Sequence, residues 1–411
     1  MKKKEFLTNN TLPEKGVLPA EKGKGVYFWD ISGKKYLDFS SQTLNLLLGQ
    51  CHPKIVEAIQ TQAETLTYAS SRFATSSYLR AAERLAEVAP AHLTRVNIKM
   101  CDGSDANETA VKIARKYTGR TGIISFNKGH TGQTTQTIQL RGYGRDPKLL
   151  AGNQEDIVFV NPPNIKEKGA YHITIKQIRD VILEHGNIAA ILIDPVMVNA
   201  GLLVTQETKD YLQSLEALCK EHDIIFILDE NQSFGWVEGM FVSRLFDLKP
   251  DIITMGKGLS GGHPLAGVVV TEVLSTVLDY NEADFTHGGH ALTCAAADAC
   301  LSVLQEEDFE ISRKSEIIKS RLSEIMEEGN IPMIYRGIGL IHALEVDTND
   351  FDQSSNIARN IFENALNNGL FLRRYNNHII VKPPIIITEK EINEGMDILL
   401  KTIKKEAAVW N

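Results

Sequence analysis

The stretch Ile224-Ile-Phe-Ile-Leu-Asp-Glu-Asn-Gln-Ser-Phe-Gly235 is a five-residue apolar run that stops at two carboxylates. A run this short and this apolar reads as a strand buried on both faces. Upstream of it, Leu212, Leu215 and Cys219 recur at the 3.6-residue period of a helix, as do Ala110, Ile113, Ala114 and Tyr117 earlier in the chain. Comparable β-branched runs occur at 96–100, 122–126, 157–160, 189–193 and 251–255, mostly separated by enough chain for a helix. That alternation predicts βαβ units and an α/β fold with a mostly parallel central sheet flanked by helices. In such a sheet the ligand crevice lies at the carboxyl ends of the strands, which is where Asp229 stands.

The C-terminal hundred residues have a different pattern. Thr388 followed by Glu391 is a capping-box signature, and Ile392, Met396, Leu399 and Ile403 then form one apolar stripe. We expect an N-terminal segment (1–54) packing with a smaller α+β domain (311–411), and between them a large domain (55–310). The polar region 140–180 reads mostly as loops within the large domain. There is no internal repeat and no low-complexity tract.

Two further motifs place chemistry beside Asp229. In Asp102-Gly-Ser-Asp-Ala-Asn-Glu108, a Gly-Ser turn joins a predicted strand to a predicted helix. Free backbone N–H groups, a hydroxyl and the positive end of a helix dipole together suit a phosphate. In Pro250-Asp-Ile-Ile-Thr-Met-Gly-Lys-Gly-Leu-Ser-Gly-Gly-His-Pro264, Lys257 follows an apolar strand and is flanked by glycines. A lysine held in a crowded, partly desolvated place has a lowered pKa and attacks aldehydes. By itself Asp229 could be a metal ligand, a general base or the partner of a protonated ring nitrogen. A phosphate turn, a strand-end carboxylate and a glycine-flanked lysine together describe a site for pyridoxal 5′-phosphate.

Composition narrows the remaining classes. The 411 residues carry 44 Lys and Arg against 52 Asp and Glu, a net charge of −8, with 43% hydrophobic and 23% charged residues. This is a globular chain long enough for two or three domains. It lacks the basic face that a nucleic-acid partner requires. Met1-Lys-Lys-Lys4 is not followed by an apolar segment, so it does not read as a signal peptide. The most apolar stretch, 188–204, is interrupted by Asp194, Pro195 and Asn199 and does not read as a membrane span. Cys51, Cys101, Cys219, Cys294 and Cys300 form neither a Cys-x-x-Cys pair nor a metal-like cluster with His, so free thiols in the cytoplasm and no metal site are expected.

With these motifs in place, the sequence resembles the class III aminotransferases, pyridoxal-phosphate enzymes of fold type I, over nearly its whole length. The resemblance runs from Trp29-Asp-Ile-Ser-Gly-Lys-Lys-Tyr-Leu-Asp-Phe39 through Leu48-Gly-Gln-Cys-His-Pro53 to Pro383-Pro384. It implies that Lys257 forms the internal aldimine and shuttles a proton between Cα and C4′. Asp229 would pair with the pyridinium nitrogen and so stabilise a quinonoid, Gln232 would bind the 3′-oxygen, and Gly103 with Ser104 would seat the phosphate. Thr286, in Phe285-Thr-His-Gly-Gly289, would reach the cofactor phosphate of a neighbouring subunit, giving a homodimer with shared active sites. Arg373, ten residues before Pro383, would grip the substrate α-carboxylate, with Arg374 as the competing choice.

The chain also departs from the family pattern. His130, in Lys128-Gly-His-Thr-Gly132, takes a position that is usually aromatic and should stack on the pyridine ring, where it could also act as a proton donor. Members acting on ω-amines often carry a glutamate in Pro-x-x-Gly-Glu-Ala-Gly, whereas Pro195-Val-Met-Val-Asn-Ala-Gly201 has Asn199 there. That departure favours a small α-amino acid as substrate. Asn231 replaces the usual valine under the ring, and Asp229-Glu-Asn-Gln-Ser-Phe-Gly235 also looks like a stretch of the α-oxoamine synthases. The expected reaction is transamination between an amino acid and a 2-oxo acid. Racemisation or epimerisation, and acyl condensation, are the alternatives, and a non-catalytic scaffold role is a third. Gln42, within Ser40-Ser-Gln-Thr-Leu-Asn45, and Trp236 are candidate specificity positions.

Overall fold

The computed structural model describes residues 7–8, 17–150 and 154–410. The N-terminal segment forms strands β1 (Ala20–Lys24), β2 (Tyr27–Asp30) and β3 (Lys35–Asp38). The central sheet consists of β4 (Arg95–Met100), β5 (Gly122–Phe126), β6 (Ile157–Val160), β7 (Ile188–Ile193), β8 (Ile225–Asp229), β9 (Ile252–Met255) and β10 (Ala266–Val270). The C-terminal part adds β11 (Met333–Ile338), β12 (Ile341–Val346), β13 (Leu370–Phe371), β14 (Arg373–Tyr375) and β15 (His378–Val381).

The central order is β4-β10-β9-β8-β7-β5-β6, and β5 to β9 pair in parallel. Only β10 runs against its neighbours β4 and β9, so the sheet is mostly parallel as expected. The runs singled out in the sequence did not include β10. It follows β9 after a glycine-rich turn with no crossover helix, a connection that returns the chain antiparallel. Strands β5, β7, β8, β9 and β10 are buried along their whole length, the condition that their uninterrupted apolar sequences meet.

Helices cover both faces. In the helix Gly103–Thr118, Ala110, Ile113 and Ala114 are buried, while Tyr117 lies exposed near its end. The helix Thr208–Glu221 buries Leu212, Leu215 and Cys219. The helix Ala170–His185 occupies a stretch whose beginning reads as loop in the sequence. Its buried positions, Ala170, Thr174, Ile178 and Ile182, form a single i+4 row with a threonine in it, a weak apolar signal.

A second sheet, β11-β12-β15-β14, is antiparallel and packs with the helices Ile311–Glu328, Phe351–Asn367 and Glu389–Trp410. The capping box at the last helix is formed: Thr388 N–H donates to Glu391 Oε2 at 2.9 Å and Glu391 N–H to Thr388 Oγ1 at 3.3 Å. The third sheet, β1-β2-β3-β13, joins the two ends of the chain, with Leu37 beside Leu370 in a parallel pair.

One of the two carboxylates after β8 is structural. Glu230 is fully buried and accepts Val242 N–H at 2.8 Å, Ser243 N–H at 2.9 Å and the Ser233 hydroxyl at 3.1 Å. It thereby satisfies the free donors at the start of the short helix Val242–Leu245. Replacing Glu230 by Ala should strand those donors and lower stability by about 2–3 kcal/mol in urea unfolding, with Glu230→Gln losing less. Equal midpoints for both variants and the parent would contradict this account.

Candidate active site

Four strand ends converge on one cleft of about 330 Å³. Gly103 and Ser104 follow β4, His130 follows β5, Asp229 closes β8, and Lys257 begins the turn after β9. These residues line the cleft together with Asn107, Asn231 and Gln232, while Thr43 and Asn45 reach it from the N-terminal segment.

Asp229 is buried and held by three donors. Asn107 Nδ2 lies 2.6 Å from one carboxylate oxygen, and Asn231 Nδ2 and N lie 2.7 and 3.0 Å from the other. The Thr254 hydroxyl donates to Asn107 Oδ1 at 2.6 Å and fixes that amide in turn. Burial raises the Asp229 pKa, and the Asn107 hydrogen bond and the Lys257 charge pull it back. Burial likewise pushes the Lys257 amine below the ordinary lysine value, against the pull of Asp229, Asp102 and Asp194. An amine that sheds its proton readily is a competent nucleophile.

The sequence reading did not single out Asn107 or Asp194 as site residues. Asn107 lies within a helix, and nothing in its spacing marks it. Asp194 did carry a signal, since it directly follows β7 as Asp229 closes β8. Its Oδ1 accepts Val196 and Met197 N–H at 3.0 and 2.9 Å, and its Oδ2 accepts Gln232 Nε2 at 3.2 Å. Burial and the neighbouring Asp229 charge push its carboxyl up to about 7.

The cleft suits pyridoxal phosphate in several respects. Gln232 Oε1 and Asn231 Oδ1 are buried acceptors without a partner, so polar groups of a ligand have somewhere to bond. At Gly103 a Cβ would run into Asn231 Oδ1, and at Gly132 it would come within 2.7 Å of Ser104 Oγ, so glycine keeps the turn open. Asp102 is a departure: its carboxylate accepts both Ser104 N–H and Ser104 Oγ at 2.8 Å. A phosphate on this turn competes with that carboxylate for the same donors.

On β14, alternation puts Arg373 and Tyr375 on one face and Arg374 on the other. Arg373 Nε donates to the Tyr375 hydroxyl at 3.3 Å, and its charge depresses the pKa of both Lys257 and His130. Arg374 instead donates to Asn376 O at 2.7 Å. Of the two, Arg373 is therefore the guanidinium on the cleft side.

The two candidate specificity positions do not line the cleft. Trp236 is fully buried, its Nε1–H donating to Pro383 O at 3.0 Å and its ring lying 3.3 Å beneath the Lys382 ammonium. Gln42 is turned to Asp38 through its backbone N–H at 2.9 Å and its Nε2 at 2.8 Å. Thr43 and Asn45 of the same loop are the residues that face the cleft. Thr286 is exposed and apart from this chain's cleft, with its carbonyl accepting the Tyr68 hydroxyl at 3.0 Å.

Comparison with known proteins shows the family and the fold. Residues 11–403 match the family model for class III aminotransferases. A probable 4-aminobutyrate aminotransferase of Bacillus subtilis is 31% identical, covering 92% of this chain and 91% of the relative. An acetylornithine aminotransferase of Methanocaldococcus jannaschii is 33% identical over 93% of each chain. Among solved structures, a taurine:2-oxoglutarate aminotransferase of Bifidobacterium kashiwanohense, in complex with pyridoxal phosphate and glutamate, superposes with a TM-score of 0.89 at 28% identity, covering 98% of this chain and 96% of that one. The chain belongs to the class III aminotransferases. It is a pyridoxal-phosphate-dependent enzyme of fold type I that acts on amino acid and oxo acid substrates.

The raised Asp194 carboxyl gives a pH prediction for the cofactor-free protein. With about 7 when folded and the ordinary 3.8 when unfolded, the folded state holds the extra proton between those values. The stabilisation is present below the lower value and is lost as pH rises through the upper one. Asp194→Asn should therefore flatten the stability profile between pH 4 and 7 and be relatively more stable at pH 8, as read by urea midpoints. A parallel profile for variant and parent would refute this.

Proposed function

We propose that the enzyme transfers the amino group of a small α-amino acid to a 2-oxo acid, with the cleft residues acting as follows. Bound pyridoxal phosphate supplies an aldehyde that condenses with amines and a ring that takes up the electron pair left at Cα. Lys257 would hold the cofactor through its amine and, once released, would serve as the base that takes up and returns the substrate's Cα proton. Asp229, kept in place by Asn107 and Asn231, would pair with the ring nitrogen and keep it protonated. Gln232 would bond the 3′-oxygen, Gly103 and Ser104 would seat the phosphate, and His130 would lie against the ring. Arg373 takes the α-carboxylate. The observation that carries this reading is the pairing, in one cleft, of a lysine whose amine is pushed towards neutrality with a buried carboxylate held by three donors. Asn199 at the position of a family glutamate supports the α-amino preference.

Further support comes from the surface for a homodimer with Thr286 directed at the partner's cofactor phosphate. Phe73 is 71% exposed, and Leu66, Tyr68, Leu79 and Tyr280 are exposed with it. Tyr68 bonds Thr286, and Ser71 lies 3.3 Å from the Tyr280 hydroxyl, so part of this apolar area adjoins the threonine. Exposed apolar side chains gathered near one another in this way suit an interface. The five unpaired cysteines fit a reducing compartment, the cytoplasm. No described helix is long and apolar enough to cross a membrane.

The test is a panel of L- and D-amino acids followed by absorption, oxo acid formation and deuterium uptake at Cα. Oxo acid is expected from an α-amino acid, and Asp229→Asn should lower turnover by about 10²–10³-fold while Lys257 remains able to bind the cofactor. Deuterium uptake without oxo acid would reject transamination in favour of racemisation. Phe73→Asp should shift the protein from dimer to monomer in sedimentation and depress activity with it, and an unchanged dimer would place the interface elsewhere.

A further inference from the structure

Two departures from the family pattern, His130 and Asn199, are joined in this structure by a third residue. His130 Nδ1 lies 2.8 Å from the Tyr143 hydroxyl, and Asn199 Nδ2 donates to the same hydroxyl at 2.9 Å. The three side chains come from separate loops: the one after β5, the one following the helix Thr135–Leu140, and the one after β7. Arg141 anchors the middle member, with its Nε 2.9 Å from Tyr143 O and its guanidinium 5.2 Å from the Tyr143 ring centre. A ring that served only to stack would need none of these bonds.

We propose that Asn199 and Tyr143 are positioning residues that decide which nitrogen of His130 carries the proton, holding the imidazole with its hydrogen on Nε2 as a neutral donor to an oxygen of the bound substrate. A side-chain NH₂ only donates, so the Tyr143 oxygen is the acceptor in its bond with Asn199. The single Tyr143 O–H then goes to His130 Nδ1, and the ring hydrogen must be on Nε2. His130 lines the cleft, and its Nε2 has no protein partner among the described residues. The Nδ2 contact with Tyr143 is the one hydrogen bond of the Asn199 side chain among the described residues, and the tautomer follows from that orientation.

Charge leaves the tautomer as the property to be controlled. Burial pushes the imidazole down to about 4, Lys257, Arg141 and Arg373 push the same way, and Asp102 opposes them. The ring is therefore neutral at physiological pH and adds no charge beside Lys257. A neutral N–H within the field of Arg373 gives the cleft one directed donor beside one charged group for a substrate carboxylate. The proposal rests on the cleft being the substrate site, but the tautomer is measurable without turnover.

The experiment is a nitrogen-15 NMR measurement on holoenzyme labelled at histidine, with the His130 signals assigned by their loss in His130→Gln. The wild-type ring should carry its proton on Nε2. In Asn199→Asp, an isosteric acceptor, the Tyr143 hydroxyl must turn to the carboxylate, so the His130 proton should move to Nδ1 and kcat/KM should fall by about tenfold. Tyr143→Phe should give a mixture of the two tautomers. A wild-type proton on Nδ1, or the same tautomer in all three proteins, overturns the proposal. Absence of oxo acid formation with the tautomer shift intact would reject the aminotransferase reading and leave this inference standing.

Discussion

The constraint on which this structure depends is the burial of two opposite charges at neighbouring strand ends without direct contact. Lys257 and Asp229 stand after β9 and at the end of β8, Asp229 buried and Lys257 half-buried, each partly compensated by the other's field. Their attraction is strong because little water screens it, yet it does not offset desolvation for either group. The result is an amine shifted towards neutrality and a carboxylate that needs Asn107 and Asn231 to remain in place. Thr254, on the strand that leads to Lys257, orients Asn107 and so ties the two strand ends into one network.

The sheet topology makes this arrangement possible. Parallel strands β5 to β9 deliver their carboxyl ends to one edge, and the helix Gly103–Thr118 after β4 brings Asn107 to the end of β8, so residues more than a hundred positions apart meet within hydrogen-bond distance. The antiparallel β10 fits between β9 and β4, which brings the Gly103 turn to the Lys257 side. The third sheet has a different role. By pairing β3 with β13 it fastens the N-terminal loop, with Thr43 and Asn45, beside the strand that carries Arg373. The residues lining the cleft thus come from separate layers.

Much of the fold was legible because its signals are local. Strands 122–126 and 157–160 are apolar runs with clear ends, and Thr388 with Glu391 marks a helix start through neighbours three residues apart. The strand β10 escaped because its apolar run continues a glycine-rich motif and no helix separates it from β9. Asn107 escaped for a different reason. It sits on a helix, and its meaning comes from Asp229, a residue 122 positions away. Trp236 and Gln42 were drawn to the cleft by their chain neighbours, whereas packing sends one into the core and turns the other onto Asp38.

By itself the sequence determined the alternation of strands and helices, the placing of carboxylates and a lysine at strand ends, and the glycines that keep a phosphate turn open. These depend on periodicity, strand length and backbone freedom, which are properties of short segments. Only the tertiary structure decided which of Arg373 and Arg374 faces the cleft, which carboxylate after β8 is structural, and how Tyr143 links His130 to Asn199. Each of those outcomes depends on distances between segments remote in the chain. Burial and hydrogen bonding, which set the charge and orientation of every group in the cleft, exist only after those segments have packed.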